Sequence, residues 1–185
     1  MSLRNPDDVI QTAKRLVEAD KRSEIRLNAN GGNSILIVCE PNRELEYIKS
    51  ISSFMTAETY EIIDLNSVLI DYVKANKDEL AASFELLKGS LHQIFKSPAG
   101  ESGNDLFSLI INRVISCMSG KKIPVLINSG SLYGSGIDNI HIMENALIMK
   151  AQLPLIILYP ATKDKDTLLF LGKRPASKYR CMIVE

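Results

Sequence analysis

The run Ile123-Pro124-Val125-Leu126-Ile127-Asn128 opens into Ser129-Gly130-Ser131-Leu132-Tyr133-Gly134-Ser135-Gly136, and one helix-length segment later the chain enters Leu153-Pro154-Leu155-Ile156-Ile157-Leu158-Tyr159-Pro160. Both runs are short for core helices and apolar on both faces, which is the signature of strands buried inside a sheet. Parallel strands need a long crossover between them, and such sheets bind ligands outside the carboxyl ends of their strands. The pattern therefore predicts a parallel α/β sheet. It also marks the loop 129–136 as the first place to look for a site.

The upstream chain fits that frame. Asn5-Pro6-Asp7 starts a helix, with Val9, Ile10, Ala13, Leu16 and Val17 at helical spacing through Ala19. Residues 20–30 are charged, then polar, and read as a solvated connection. Ile35-Leu36-Ile37-Val38-Cys39 is a buried central strand ended by Glu40-Pro41-Asn42, followed by a helix carrying Leu45, Tyr47, Ile48, Ile51, Phe54 and Met55. Residues 60–65 form a second strand, and Asn66 or Ser67 caps a helix with Val68, Leu69, Tyr72 and Val73. Residues 77–96 continue as a helix with Gly89 as its weak point, 97–104 are a loop, and 105–118 are so apolar that a sandwiched helix is expected. At the end of the chain, 167–171 and 179–184 are expected to pair as an antiparallel hairpin around the turn 172–178. The fold class is a single α/β domain over residues 1–185, with a mainly parallel central sheet flanked by helices. Its layout is P-loop-NTPase-like without a functional P-loop.

A chain of 185 residues can bury roughly 70% of its unfolded surface and needs no metal or disulfide to fold. Its 22 basic and 22 acidic residues cancel, so overall charge draws it to neither nucleic acid nor an anionic membrane. Cys39, Cys117 and Cys181 are far apart and odd in number, which fits neither a disulfide framework nor a CxxC site; Cys39 and Cys181 read as small core residues. The start of the chain lacks the basic-then-apolar pattern of a secretory signal, and no apolar stretch reaches the roughly 18 residues of a membrane span. A soluble cytoplasmic protein without membrane contact is expected.

A P-loop needs GxxxxGK[ST] after a strand, but Glu40-Pro41-Asn42-Arg43 follows the first strand. Gly31-Gly32 and Gly120-Lys121-Lys122 precede their strands. The candidate ligand or partner loop, Ser129, Gly130, Ser131, Tyr133, Gly134, Ser135 and Gly136, is correctly placed for an anion yet does not spell GxGxxG, and Asp138 would repel phosphate. His141 and Glu144 share a helix face, but only His92 remains as a further histidine, too few for zinc. No GxSxG surrounds a serine. Catalytic residues, a metal and a cofactor are thus not indicated. The candidate basic surface Lys163, Lys165, Lys173, Arg174, Lys178 and Arg180 could meet nucleic acid or an acidic protein, although Asp164 and Asp166 interrupt it.

A strand ending in a glycine loop with Tyr133, a helix, a strand closing on Tyr159-Pro160, the strand Leu168-Leu169-Phe170 and a terminal Tyr179-Arg180 together resemble the BrxB family of BREX phage-defence systems, most specifically over residues 123–185. The chain departs from that family at Ala161-Thr162-Lys163-Asp164-Lys165-Asp166, where a glycine-containing acidic turn is usual, and at Lys178-Tyr179, where two tyrosines are usual. The resemblance implies a non-catalytic adaptor of a multi-protein defence complex. Its implied partners are a phosphatase-superfold protein, an ATPase and a methyltransferase, with nucleic acid contacted indirectly if at all and a homo-oligomer left open. A nucleotide- or phosphate-binding protein or hydrolase using loop 129–136, and a nucleic-acid-binding module using the basic segment, are the rival readings.

Overall fold

The computed structural model describes residues 4–18, 22–98, 103–165, 167–176 and 180–185. Helices α1 (Pro6–Glu18) and α2 (Arg22–Asn28) precede strand β1 (Ser34–Cys39), and a 3-10 turn over Pro41–Arg43 leads into α3 (Glu44–Phe54). Next come β2 (Tyr60–Asp64), α4 (Leu65–Ala75), α5 (Lys77–Leu86), a 3-10 turn over Leu91–Gln93 and α6 (Leu106–Ser119). Strand β3 (Ile123–Ile127) is followed by a 3-10 turn over Ser129–Leu132, α7 (Asn139–Met143), α8 (Ala146–Lys150) and β4 (Leu155–Asp164). Short strands β5 (Thr167–Phe170), β6 (Arg174–Pro175) and β7 (Met182–Val184) complete the chain.

Five strands lie in the order β2-β3-β4-β1-β7, and every neighbouring pair is parallel. The apolar runs set this order. All six residues of β1 and all five of β3 are buried, so both must lie inside the sheet. Alternate side chains feed two cores: Leu36, Leu126 and Ile157 face α4 and α6, while Ile35, Ile37 and Val125 face α1 and α3. Pro6 opens α1 with Asp7 and Asp8 in its first turn, where the helix dipole favours them, and Ser50 of α3 donates to Asp7 at 2.5 Å. The expected parallel sheet between helical layers is therefore present.

Several local expectations are corrected. The connection read over residues 20–30 contains α2, because Ile25 buries into the core beneath α1 and α3 more than its polar neighbours resist, and Ala29, just past the helix, is buried as well. Asp64, not Asn66 or Ser67, caps α4, accepting from the amides of both. The helix read over 77–96 ends at Leu86, before Gly89. Helix α6 is buried on one side only: Leu106, Ile110 and Val114 face the core, and Asn112 and Arg113 face water. Two short helices, α7 and α8, fill the segment read as one.

The C-terminal hairpin is the largest correction. Strand β5 pairs antiparallel with the second half of β4, Ala161 opposite Phe170, and β6 then pairs with β5. Strand β7 crosses back to lie parallel beside β1, Leu36 opposite Ile183. Two causes are visible. Tyr159 stacks on Phe170 at 4.8 Å, holding β5 against β4, and β1 needs a neighbour on its second edge for its backbone hydrogen bonds. Residues 177–179 of the expected turn and strand lie outside the described residues.

Candidate functional site

The chain leaves β1 through α3 toward β2, passing β4 and β3, but leaves β4 through β5 and β6 toward β7, passing β1 in the opposite direction. Diverging connections open a crevice at the carboxyl ends of β1 and β4, the position where open α/β sheets bind ligands. A cleft of about 270 Å³ lies there. Its floor is Val38, Cys39 and Ala161, Tyr47 of α3 and Leu168 of β5 form its walls, and Arg4, Glu40, Arg43, Lys163 and Glu185 bring charge to it.

The groups that a phosphate would need are absent from its floor. Pro41 begins the turn after β1 and removes an amide, and Glu40 and Glu44 place carboxylates at the amino end of α3. The Glu44 side chain turns inward, and its Oε1 is buried without a hydrogen bond from the described residues. Burial, and then the nearby Asp64 charge, push the Glu44 carboxyl above its ordinary pKa. Burial also pushes Asp64 up, but hydrogen bonds from Asn128, Ser67 and the Asn66 amide outweigh it and leave Asp64 below the usual range. Asn128 donates to Asp64 at 2.8 Å from a left-handed backbone with φ of 56°. Carboxylates thus occupy the region where a P-loop would cradle phosphate.

The loop 129–136 does not line this cleft. Its hydroxyls turn inward: Ser129 Oγ donates to Leu158 O, Ser131 Oγ to Asn128 O and Ser135 Oγ to Leu132 O. A Cβ on Gly130 would lie 3.2 Å from Leu171, and one on Gly136 would lie 2.6 Å from His92 O, so neighbours pack closely against these two glycines. Gly134 and Tyr133 are exposed. A cavity of only about 20 Å³ remains below the loop, room for about one water. The turn after β5, carrying Leu171, packs over the Gly130 end of the loop, while the Tyr133-Gly134 end stays open to solvent.

His141 and Glu144 are likewise committed elsewhere. His141 Nδ1 accepts from the Asp138 amide at 3.0 Å, and burial, then Lys96, hold its pKa below the ordinary value. Glu144 ends α7 and receives Arg180 at 3.3 Å. No group of metal-binding side chains occurs among the described residues. The candidate basic surface is partly neutralised: Arg174 grips Asp138 through two bonds of 2.6 and 2.9 Å, and Lys163 meets Glu185 at 3.2 Å. Lys165 and Lys173 are exposed, and Lys178 lies outside the described residues.

All three cysteines are buried and unpaired. Burial pushes the Cys117 and Cys181 thiols up to about 12 and Cys39 higher still, far from the thiolate a nucleophile needs. Cys39 therefore serves as floor rather than reagent. No described helix is long and apolar enough to cross a membrane. Arg4, Tyr47, Leu168 and Glu185 were not legible as site residues, because they come from separate segments that only the sheet brings together; the visible signal was Glu40-Pro41 directly after a central strand. No family model, curated protein or solved structure matches the chain.

Proposed function

We propose that this protein is a non-catalytic adaptor, and that it serves in a multi-protein phage-defence complex of the BREX type. The observation that carries the adaptor reading is the filled phosphate position: Pro41, Glu40 and the inward-turned Glu44 stand where an active relative of this layout would need glycine, amides and lysine. Among the described residues, a carboxyl edge with buried thiols and no phosphate cradle retains shape and surface for other proteins. The defence setting rests on the BrxB resemblance, which names the partners as a phosphatase-superfold protein, an ATPase and a methyltransferase.

The reading is tested by co-expressing the tagged protein with the partners that the resemblance names, a phosphatase-superfold protein, an ATPase and a methyltransferase of a BREX-type system. Stable co-purification with at least one is expected, together with no change in melting temperature on adding Mg-ATP. Co-purification with none would refute the adaptor reading. A stabilising response to Mg-ATP would restore the nucleotide-binding alternative. The nucleic-acid alternative is weakened by the carboxylates that hold Arg174, Arg180 and Lys163.

A further inference from the structure

The switch-point cleft is small, apolar at its base and charged around its rim. Its volume of about 270 Å³ lies just under the roughly 300–1,000 Å³ of sites for drug-sized molecules, so an occupant is small. The floor, Val38 and Ala161 with Leu168 beside them, suits a hydrocarbon side chain. Charges of both signs surround it, and the ion pairs sort them into committed and free.

Arg43 holds Glu46 at 2.8 Å, and Lys163 holds Glu185 at 3.2 Å. Arg43 also donates through Nη1 to Arg4 O at 3.3 Å, which anchors the segment before α1 at the cleft. The Arg4 guanidinium and the Glu40 carboxylate, both exposed, pair with no described residue and not with each other. A third group is also idle. Tyr47 is 5% exposed, yet its hydroxyl makes no hydrogen bond with the described residues. Burial raises its pKa and Arg43 lowers it, and Cys39 and Glu40 act on it more weakly, so the hydroxyl lies among residues that line the cleft. Buried hydroxyls have partners as a rule, and the cleft is the side from which one can come.

We propose that the cleft binds a small zwitterion, an α-amino acid with an apolar side chain. Its carboxylate meets Arg4, its ammonium meets Glu40 and the Tyr47 oxygen, and its side chain covers Val38, Ala161 and Leu168. Charge decides against simpler ligands. An anion would face Glu40 unpaired, a cation would face Arg4 unpaired, and a nucleotide would bring phosphates to an edge without a cradle for them. A zwitterion uses both free charges and the idle hydroxyl. Ligand binding here goes beyond the adaptor reading and is independent of it.

The test is titration calorimetry of the full chain with L-valine, L-leucine, L-methionine and L-phenylalanine. Each is also supplied as its amide, which lacks the carboxylate, and as its des-amino acid, which lacks the ammonium. At least one amino acid is expected to bind, with its amide and its des-amino acid each weaker by about tenfold, one charge-assisted contact being lost in each. Arg4→Gln should weaken the amino acid about tenfold and leave the amide unchanged, and Glu40→Gln should weaken it as much and leave the des-amino acid unchanged. Both positions are exposed, so neither substitution disturbs the core. Tyr47→Phe should weaken binding several-fold with the melting temperature unchanged, because the hydroxyl has no bond to lose. Absence of binding by all four at millimolar concentration, or an amide or des-amino acid that binds as tightly as its amino acid, would overturn the proposal. So would Arg4→Gln and Glu40→Gln variants that bind as the unaltered protein does. Failure of amino-acid binding alongside intact co-purification would remove the site and leave the adaptor reading standing; binding without co-purification would do the reverse.

Discussion

Asn33 tests the frame on which the cleft is built. Its side chain is 1% exposed, and its Nδ2 lies 3.0 Å from Ile148 O, 3.1 Å from Ala151 O and 2.9 Å from Leu153 O, tying the start of β1 to the end of α8 and the entry to β4. One amide nitrogen has only two hydrogens, so the three contacts amount to about two full bonds. After Asn33→Ala, Ile148 O keeps the Ala151 amide and Ala151 O keeps Arg26, but Leu153 O has no other bond among the described residues. Two lost bonds, with one carbonyl left bare, cost about 2 kcal/mol. In a domain of this size that lowers the melting temperature by about 4–8 °C. Asn33→Asp is more damaging, because it aims a carboxylate at three carbonyl oxygens. Urea unfolding and calorimetry at pH 7 read both. A cost below about 0.5 kcal/mol for Asn33→Ala, or an Asn33→Asp variant no less stable than Asn33→Ala, would refute the reasoning.

Three further outcomes are expected. Gly136→Ala forces a side chain into a left-handed backbone at φ of 80° and against His92 O, and should cost about 2–3 kcal/mol in urea unfolding; a neutral substitution would show the loop to be looser than described. The Glu44 pKa is raised in the folded protein, so the native state holds its proton more tightly and stability falls as pH rises from the ordinary glutamate value through the raised one. Glu44→Gln should flatten that part of the stability curve and stabilise the protein at pH 7, and an unchanged curve would contradict the burial of its carboxylate. Iodoacetamide at pH 7.5 should label none of Cys39, Cys117 and Cys181 in the folded protein and all three in urea, as counted by mass spectrometry.

The parallel α/β class, the central position of β1 and the missing phosphate loop were legible in the chain. Runs such as Ile35 to Cys39 are apolar on both faces, and Glu40-Pro41 follows directly. The helix at 22–28 was hidden because, among the described residues, Ile25 is its one buried side chain, while its other apolar residue, Leu27, is exposed. The packing over the Gly130 end of loop 129–136 was hidden for another reason: the side chain nearest Gly130 is Leu171, forty-one positions on.

Patterns with a local cause, the period of a buried strand or a proline at a turn, act through neighbours in the chain and can be read there. Strand β7 is of the other kind. Its apolar residues suit a hairpin with β5 as well as a place beside β1, and the choice falls to the packing of Tyr159 on Phe170 and the unfilled edge of β1. The same choice creates both the switch-point cleft and the bare outer edge of the sheet. Arg4, Tyr47, Lys163 and Glu185, spread over the whole chain, become neighbours only because tertiary burial outweighs the entropy of closing such long loops.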